Sequence, residues 1–222
     1  EAAKLGFRHT VITGGEPLVH PQRDRLLEAL ASIRKEVKPM LIVLRTNLTI
    51  DADDVLLGLI GHSADEVVVS IDGDRERHDS RRGKGSYDLA VHNLRALKNK
   101  GCDTDISLAS VLPLELVNGA PGNSVRELAR ELGIRRTRFR PLLPLGRAKD
   151  LDIVPETIWG HMDPRDMVDY GFTPTSSCGI GQNLYVEPDG KSYPCYAWHD
   201  QQWYLGSIKE QGLKSVICSD QF

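Results

Sequence analysis

The sequence predicts a parallel α/β fold, either a barrel or a doubly wound sheet. Three observations carry this. Short apolar runs rich in β-branched residues begin roughly every 30 residues, the length of a βαβ unit. An amphipathic helical pattern separates each run from the next. Polar and glycine-rich clusters follow the runs directly, at the C-terminal strand ends where both architectures hold ligands.

The elements follow in order. His9-Thr-Val-Ile-Thr13 reads as the first strand. A helix is expected from Pro21, a residue favoured in the first turn, with Leu26, Leu27, Leu30 and Ile33 on one face. Met40 to Arg45 is the second strand, and a Leu-rich helix follows over about Asp53 to Ile60. Glu66 to Ile71 is short and β-branched, as suits a buried parallel strand. Ser86 is the expected cap of a helix that carries Leu89, Leu94 and Leu97 and stops at Gly101. Asp105 to Leu112 is the fourth strand. Ser124-Val-Arg-Glu127 has the capping-box pattern of a helix ending near Gly133, and Arg136 to Arg140 is the fifth strand. From about Asp150 the alternation stops. A hairpin signal then appears, with Leu184-Tyr-Val-Glu and Lys-Ser-Tyr193 flanking Pro188-Asp-Gly190. The expected division is 1–148 as the α/β core, 149–176 as a connecting segment and 177–222 as a small appended module.

Composition bounds the function. Of 222 residues, 40% are hydrophobic and 27% charged, enough apolar material for a buried core. A net charge of -3 argues against a general nucleic-acid binder and against electrostatic attachment to membranes. The apolar runs are too short to span a bilayer, and no signal pattern opens the chain, so a cytoplasmic protein is expected. Four scattered cysteines, Cys102, Cys178, Cys195 and Cys218, suit metal binding or burial better than a disulfide framework.

Chemistry is expected at the strand ends. After the first strand, Gly14 and Gly15 let a ligand approach the backbone, and Glu16 suits an ammonium group; a Gly-Pro loop with a solvated glutamate has the same pattern. Thr46-Asn47 ends the second strand and Ser70-Ile-Asp72-Gly73 the third, where Asp72-Gly73 equally suits a plain turn. His78 to Ser86 is a cationic, glycine-containing stretch entering a helix, compatible with anion binding or with a solvated loop. Arginines alternate through Arg138-Phe-Arg140, so one set faces the barrel interior and is placed to meet an acidic ligand.

Taken in this order, the segments resemble the radical S-adenosylmethionine (radical SAM) superfamily. Thr13-Gly-Gly-Glu-Pro-Leu18 resembles its Gly-Gly-Glu motif, Thr46-Asn47 its next polar strand end, and Ser70-Ile-Asp-Gly73 with His78-Asp79, Arg82 and Gly85-Ser86-Tyr87 its peptide-modifying branch. Pro144-Leu-Gly-Arg-Ala148 is similar to that branch's sixth-strand exit. Cys178, Gly190 and Cys195, with Leu205-Gly-Ser-Ile208 downstream, resemble the opening of a SPASM domain or its shorter twitch relative.

The resemblance implies a partial (β/α)6 TIM-like barrel, incomplete at its N-terminus, plus a small C-terminal hairpin and helix module. It implies that Glu16, beside Gly14 and Gly15, binds the amino group of S-adenosylmethionine (SAM). Asn47 lies at the same rim, Ser70 and Asp72 lie near the ribose or methionine portion, and Arg82 pairs with the carboxylate. Cys178 and Cys195 would hold part of an auxiliary [4Fe-4S] cluster, with a zinc site as the other thiolate reading. Cys102 and Cys218 read as structural. The family's C-x3-C-x2-C loop is not present, so the resemblance implies a segment of a larger enzyme, inactive alone. The implied activity is radical modification of a peptide or protein, fed by a small-molecule reductant or a flavodoxin-type donor. The alternatives are a twitch-type dehydrogenase or epimerase of a small metabolite, and a cluster-less, non-catalytic ligand-binding barrel.

Overall fold

The computed structural model describes residues 1–140, 183–195 and 200–219. Five strands form one wholly parallel sheet in chain order: β1 (His9–Ile12), β2 (Leu41–Thr46), β3 (Glu66–Ser70), β4 (Asp105–Val111) and β5 (Arg136–Arg140). The βα alternation read from the sequence is therefore real. Sequential order without a switch point is what a barrel wall requires. The expected connecting segment and the Pro144–Ala148 strand exit lie outside the described residues.

Strand alternation sorts the side chains. Ile42, Leu44, Val67, Val69, Leu108 and Phe139 point to the helix layer and join the main core. Val68, Ala109 and Arg138 occupy the opposite, concave face, where they line a cleft. Register holds the layers level, with Leu44 opposite Val67 and Val69 opposite Leu108.

The helices pack one face each. In α1 (Arg23–Glu36), Leu27 and Leu30 are buried and Leu26 is partly so, but Ile33 is 38% exposed. The helix begins after Pro21, at Arg23, because a short 3-10 turn over Pro17–Val19 precedes it. In α2 (Asp54–Ser63), the Asp53 carboxylate caps the start by accepting Leu56 N–H at 2.8 Å. Gly61 there leaves room for Cys102, since a β-carbon would lie 2.3 Å from the Cys102 sulfur.

Three local expectations need correction. Only residues 83–85 of the 78–86 stretch form a loop: α3 (Arg75–Arg82) takes up its first part, capped by Asp74, whose carboxylate accepts Arg77 N–H at 2.9 Å. Its charged surface hid the helix from a hydrophobic-period reading. Ser86 does not cap α4 (Ser86–Asn99) but is its first residue. The cap comes from α3, where the Asp79 carboxylate accepts Gly85 and Tyr87 N–H at 2.7 and 2.8 Å. These bonds hold the Asp79 carboxyl below the usual carboxylate range. Ser124 sits inside α6 (Ala120–Glu131), which follows the one-turn α5 (Leu114–Val117). Its hydroxyl donates to Ala120 O at 2.9 Å instead of capping.

The C-terminal part is an antiparallel sheet of β6 (Tyr185–Val186), β7 (Lys191–Tyr193) and β8 (Gly206–Ser207), followed by α7 (Ile208–Ile217). The predicted turn is present: Gly190, at φ 96°, donates its N–H to Glu187 O at 2.9 Å.

Candidate functional site

The C-terminal ends of the sheet enclose a cleft of about 270 Å³. Gly14, Gly15 and Glu16 line it from the β1 end, Arg45, Thr46 and Asn47 from β2, and Ser70 from β3. Arg82 enters from α3, and Ser110, Arg138 and Arg140 come from β4 and β5. Gly14 has φ 130°, and a β-carbon on Gly14 or Gly15 would meet no atom within 4 Å. That backbone therefore faces open cleft.

Glu16 ties two strand ends together. Its Oε1 accepts Thr46 Oγ1–H at 2.7 Å and Leu18 N–H at 3.1 Å, and its Oε2 accepts Asn47 N–H at 2.6 Å. Thr46 and Leu18 are buried, so the carboxylate also satisfies donors that water does not reach. Thr46 Oγ1 in turn accepts Leu48 N–H at 2.8 Å. Glu16 is thus partly exposed and fixed in orientation.

Asp72 is placed differently from Ser70. It is 1% exposed and outside the cleft lining. Its Oδ1 accepts Val111 N–H at 2.8 Å, and its Oδ2 accepts Arg82 Nε–H at 2.8 Å. Arg81 Nη1 stands 3.7 Å from the same carboxylate and donates to Val111 O. Asp72 accordingly holds Arg82 from outside the cleft lining. Arg82 is the one whose side chain reaches the cleft.

Below the rim, Glu66 accepts from Ser107 Oγ at 2.7 Å and from Arg138 Nη2 at 3.1 Å, with Arg138 Nη1 2.8 Å from its other oxygen. Burial pushes the Glu66 carboxyl up, but the Arg138 and Ser107 hydrogen bonds outweigh it and hold it below the usual range. The arginine alternation on β5 does point inward, and Glu66 meets Arg138 there.

The described residues fit the amino-acid end of SAM: an anchored carboxylate for an ammonium, an arginine for a carboxylate, and bare backbone next to Glu16. They do not assemble a metal site. No group of three His, Cys, Asp or Glu suited to a metal occurs among them. Cys195 is half-buried beyond β7, and Cys178 lies outside the described residues. Cys102 packs against Gly61, whereas Cys218, the C-cap residue just after α7, is exposed.

His78 is not among the site residues expected from the sequence. It is fully buried, and its Nδ1 accepts Asp72 N–H at 3.1 Å. Its sequence signals are the His78-Asp79 pair quoted above and its place one helical turn after Asp74, the cap of α3.

The chain is similar to known proteins along most of its length. Residues 178–222 match the iron-sulfur cluster-binding SPASM domain. The mycofactocin maturase MftC of Mycolicibacterium smegmatis is 27% identical over 97% of this chain and 59% of its own length. The subtilosin biosynthesis protein AlbA of Bacillus subtilis is 24% identical over 94% of this chain and 48% of its own. The chain thus spans about half the length of these curated relatives. Streptococcus suis SuiB, solved bound to the precursor peptide SuiA, superposes with a TM-score of 0.74 at 14% identity, covering 99% of this chain and 56% of SuiB. That likeness establishes the shared barrel fold. Residues 1–116 match the radical SAM superfamily, and with that match over more than half its length the chain belongs to this superfamily.

Proposed function

We propose that the cleft binds SAM and that the complete enzyme uses it to modify a peptide or protein. The observation that carries the first part is that Glu16 and Arg82 line one strand-end cleft, with Gly14 and Gly15 baring the backbone beside Glu16. Glu16 takes the ammonium, and Arg82 takes the carboxylate through its terminal nitrogens, its Nε being held by Asp72. Asn47 and Ser70 supply polar contacts at the same rim. Beside a reduced [4Fe-4S] cluster, bound SAM supplies a 5′-deoxyadenosyl radical able to abstract hydrogen from a substrate.

The maturase name of MftC, the bacteriocin-biosynthesis name of AlbA and the precursor peptide in the SuiB structure support a peptide substrate. The SPASM match supports an auxiliary [4Fe-4S] cluster with Cys178 and Cys195 among its ligands. We assign that cluster no step. The electron donor is a small-molecule reductant or a flavodoxin-type protein. The compartment is the cytoplasm, where thiolate ligands stay reduced; among the described residues, no helix is long and apolar enough to cross a membrane.

The test is anaerobic reconstitution of the complete enzyme, followed by SAM titration, metal analysis and incubation with candidate precursor peptides. Saturable SAM binding, iron and sulfide in cluster ratio, and 5′-deoxyadenosine formed with a peptide mass change are expected. Stoichiometric zinc without sulfide overturns the cluster assignment. SAM binding unchanged by R82M overturns the cleft assignment.

A further inference from the structure

We propose that His78 is a positioning residue for SAM recognition, acting through the Asp72 backbone to hold Arg82 at the cleft. This rests on the reading of Arg82 as the carboxylate partner given above.

The chain of contacts is short. His78 Nδ1 accepts the backbone N–H of Asp72 at 3.1 Å, which fixes the turn that follows β3. The Asp72 side chain, anchored on Val111 N–H at 2.8 Å, then grips Arg82 Nε at 2.8 Å. His78 and Arg82 both lie on α3, four residues apart, so the imidazole clamps the helix that carries Arg82 onto the strand end that orients it. Neither His78 nor Asp72 lines the cleft; Arg82 does.

The imidazole is costly where it stands. It is fully buried, and because Nδ1 accepts, the ring proton sits on Nε2, which has no hydrogen-bond partner. The ring lies edge-on to Tyr87, with centroids 5.7 Å apart, in surroundings an apolar side chain would fill without stranding a donor. What the imidazole supplies and a leucine does not is the acceptor for Asp72 N–H. Burial and the nearby Arg82 charge hold the His78 pKa below 6.5, so the accepting, neutral form persists at neutral pH.

The experiment compares two probes on the complete, cluster-loaded enzyme. S-adenosylhomocysteine carries the amino-acid carboxylate, whereas 5′-methylthioadenosine lacks it. In H78L, S-adenosylhomocysteine should bind about tenfold more weakly while methylthioadenosine stays within about twofold. H78N presents Oδ1 where Nδ1 stood and should restore most of the lost affinity. Equal weakening of both probes, unchanged binding in H78L, or no rescue by H78N overturns the proposal. R82M separates the layers. If R82M leaves the ratio of the two affinities unchanged, the Arg82 reading beneath the proposal fails. If R82M shifts the ratio and H78L does not, only the role of His78 fails.

Discussion

Replacing Glu16 tests the brace and the ligand role separately. Alanine at position 16 removes acceptors from Thr46 Oγ1, Leu18 N and Asn47 N, now held at 2.7, 3.1 and 2.6 Å. A hydrogen bond to a charged acceptor contributes about 1.5–3 kcal/mol, but such terms are not additive and Glu16 is partly exposed. The expected loss for E16A is therefore about 3 kcal/mol, near the bond energy of one or two full contacts. E16Q keeps an oxygen at the Oε1 position for Thr46 and Leu18 and loses the Asn47 contact and the charge. Its expected loss is about 1–2 kcal/mol. Urea unfolding monitored by circular dichroism measures both, with the midpoint moving and the slope constant. SAM titration of E16Q then reports the ammonium contact on a largely intact fold, and weaker binding is expected. E16A within about 0.5 kcal/mol of the parent would refute the brace, because three anchored donors cannot lose their acceptor at no cost. Undiminished SAM affinity in E16Q would refute the ammonium contact.

A β-carbon on Gly122 would stand 1.8 Å from Val117 O, a backbone atom that no rotamer change can move. G122A should cost at least about 4 kcal/mol or prevent folding, read as loss of cooperative thermal unfolding. By contrast Gly58, inside α2 with nothing within 4 Å of a β-carbon, should accept alanine and gain about 0.5–1 kcal/mol in the urea midpoint. G61A should be rescued by C102G but not by C102A, since the Cys102 β-carbon would itself lie 2.6 Å away; equal rescue by both refutes the packing. Burial raises the Asp65 carboxyl, yet the Ile42 N–H bond and Arg34 outweigh it and set the net value below 3.8. A depressed carboxyl stabilises the fold above its unfolded value and loses that effect as pH falls through the folded one. D65N should thus be less stable by about 1–3 kcal/mol at pH 7, with the gap to the parent closing below pH 3.8 in acid titrations.

The sequence alone determined the strand-helix alternation, because short β-branched runs and helical leucine stripes are properties of neighbours along the chain. It also determined that Gly14, Gly15, Glu16, Asn47 and Ser70 fall at strand ends, since each directly follows a run already readable as a strand. It did not determine α3, whose surface is charged and whose identity depends on Asp74 and Asp79 making particular hydrogen bonds. Nor could it separate Ser70 from Asp72. They are two residues apart at one strand end, yet one lines the cleft and the other is sealed between Val111 and Arg82. That difference, and the buried imidazole behind it, depend on β4 and α3 closing over a turn from opposite sides. Such closure is set by contacts between residues 10 and 39 positions apart, which no local pattern encodes.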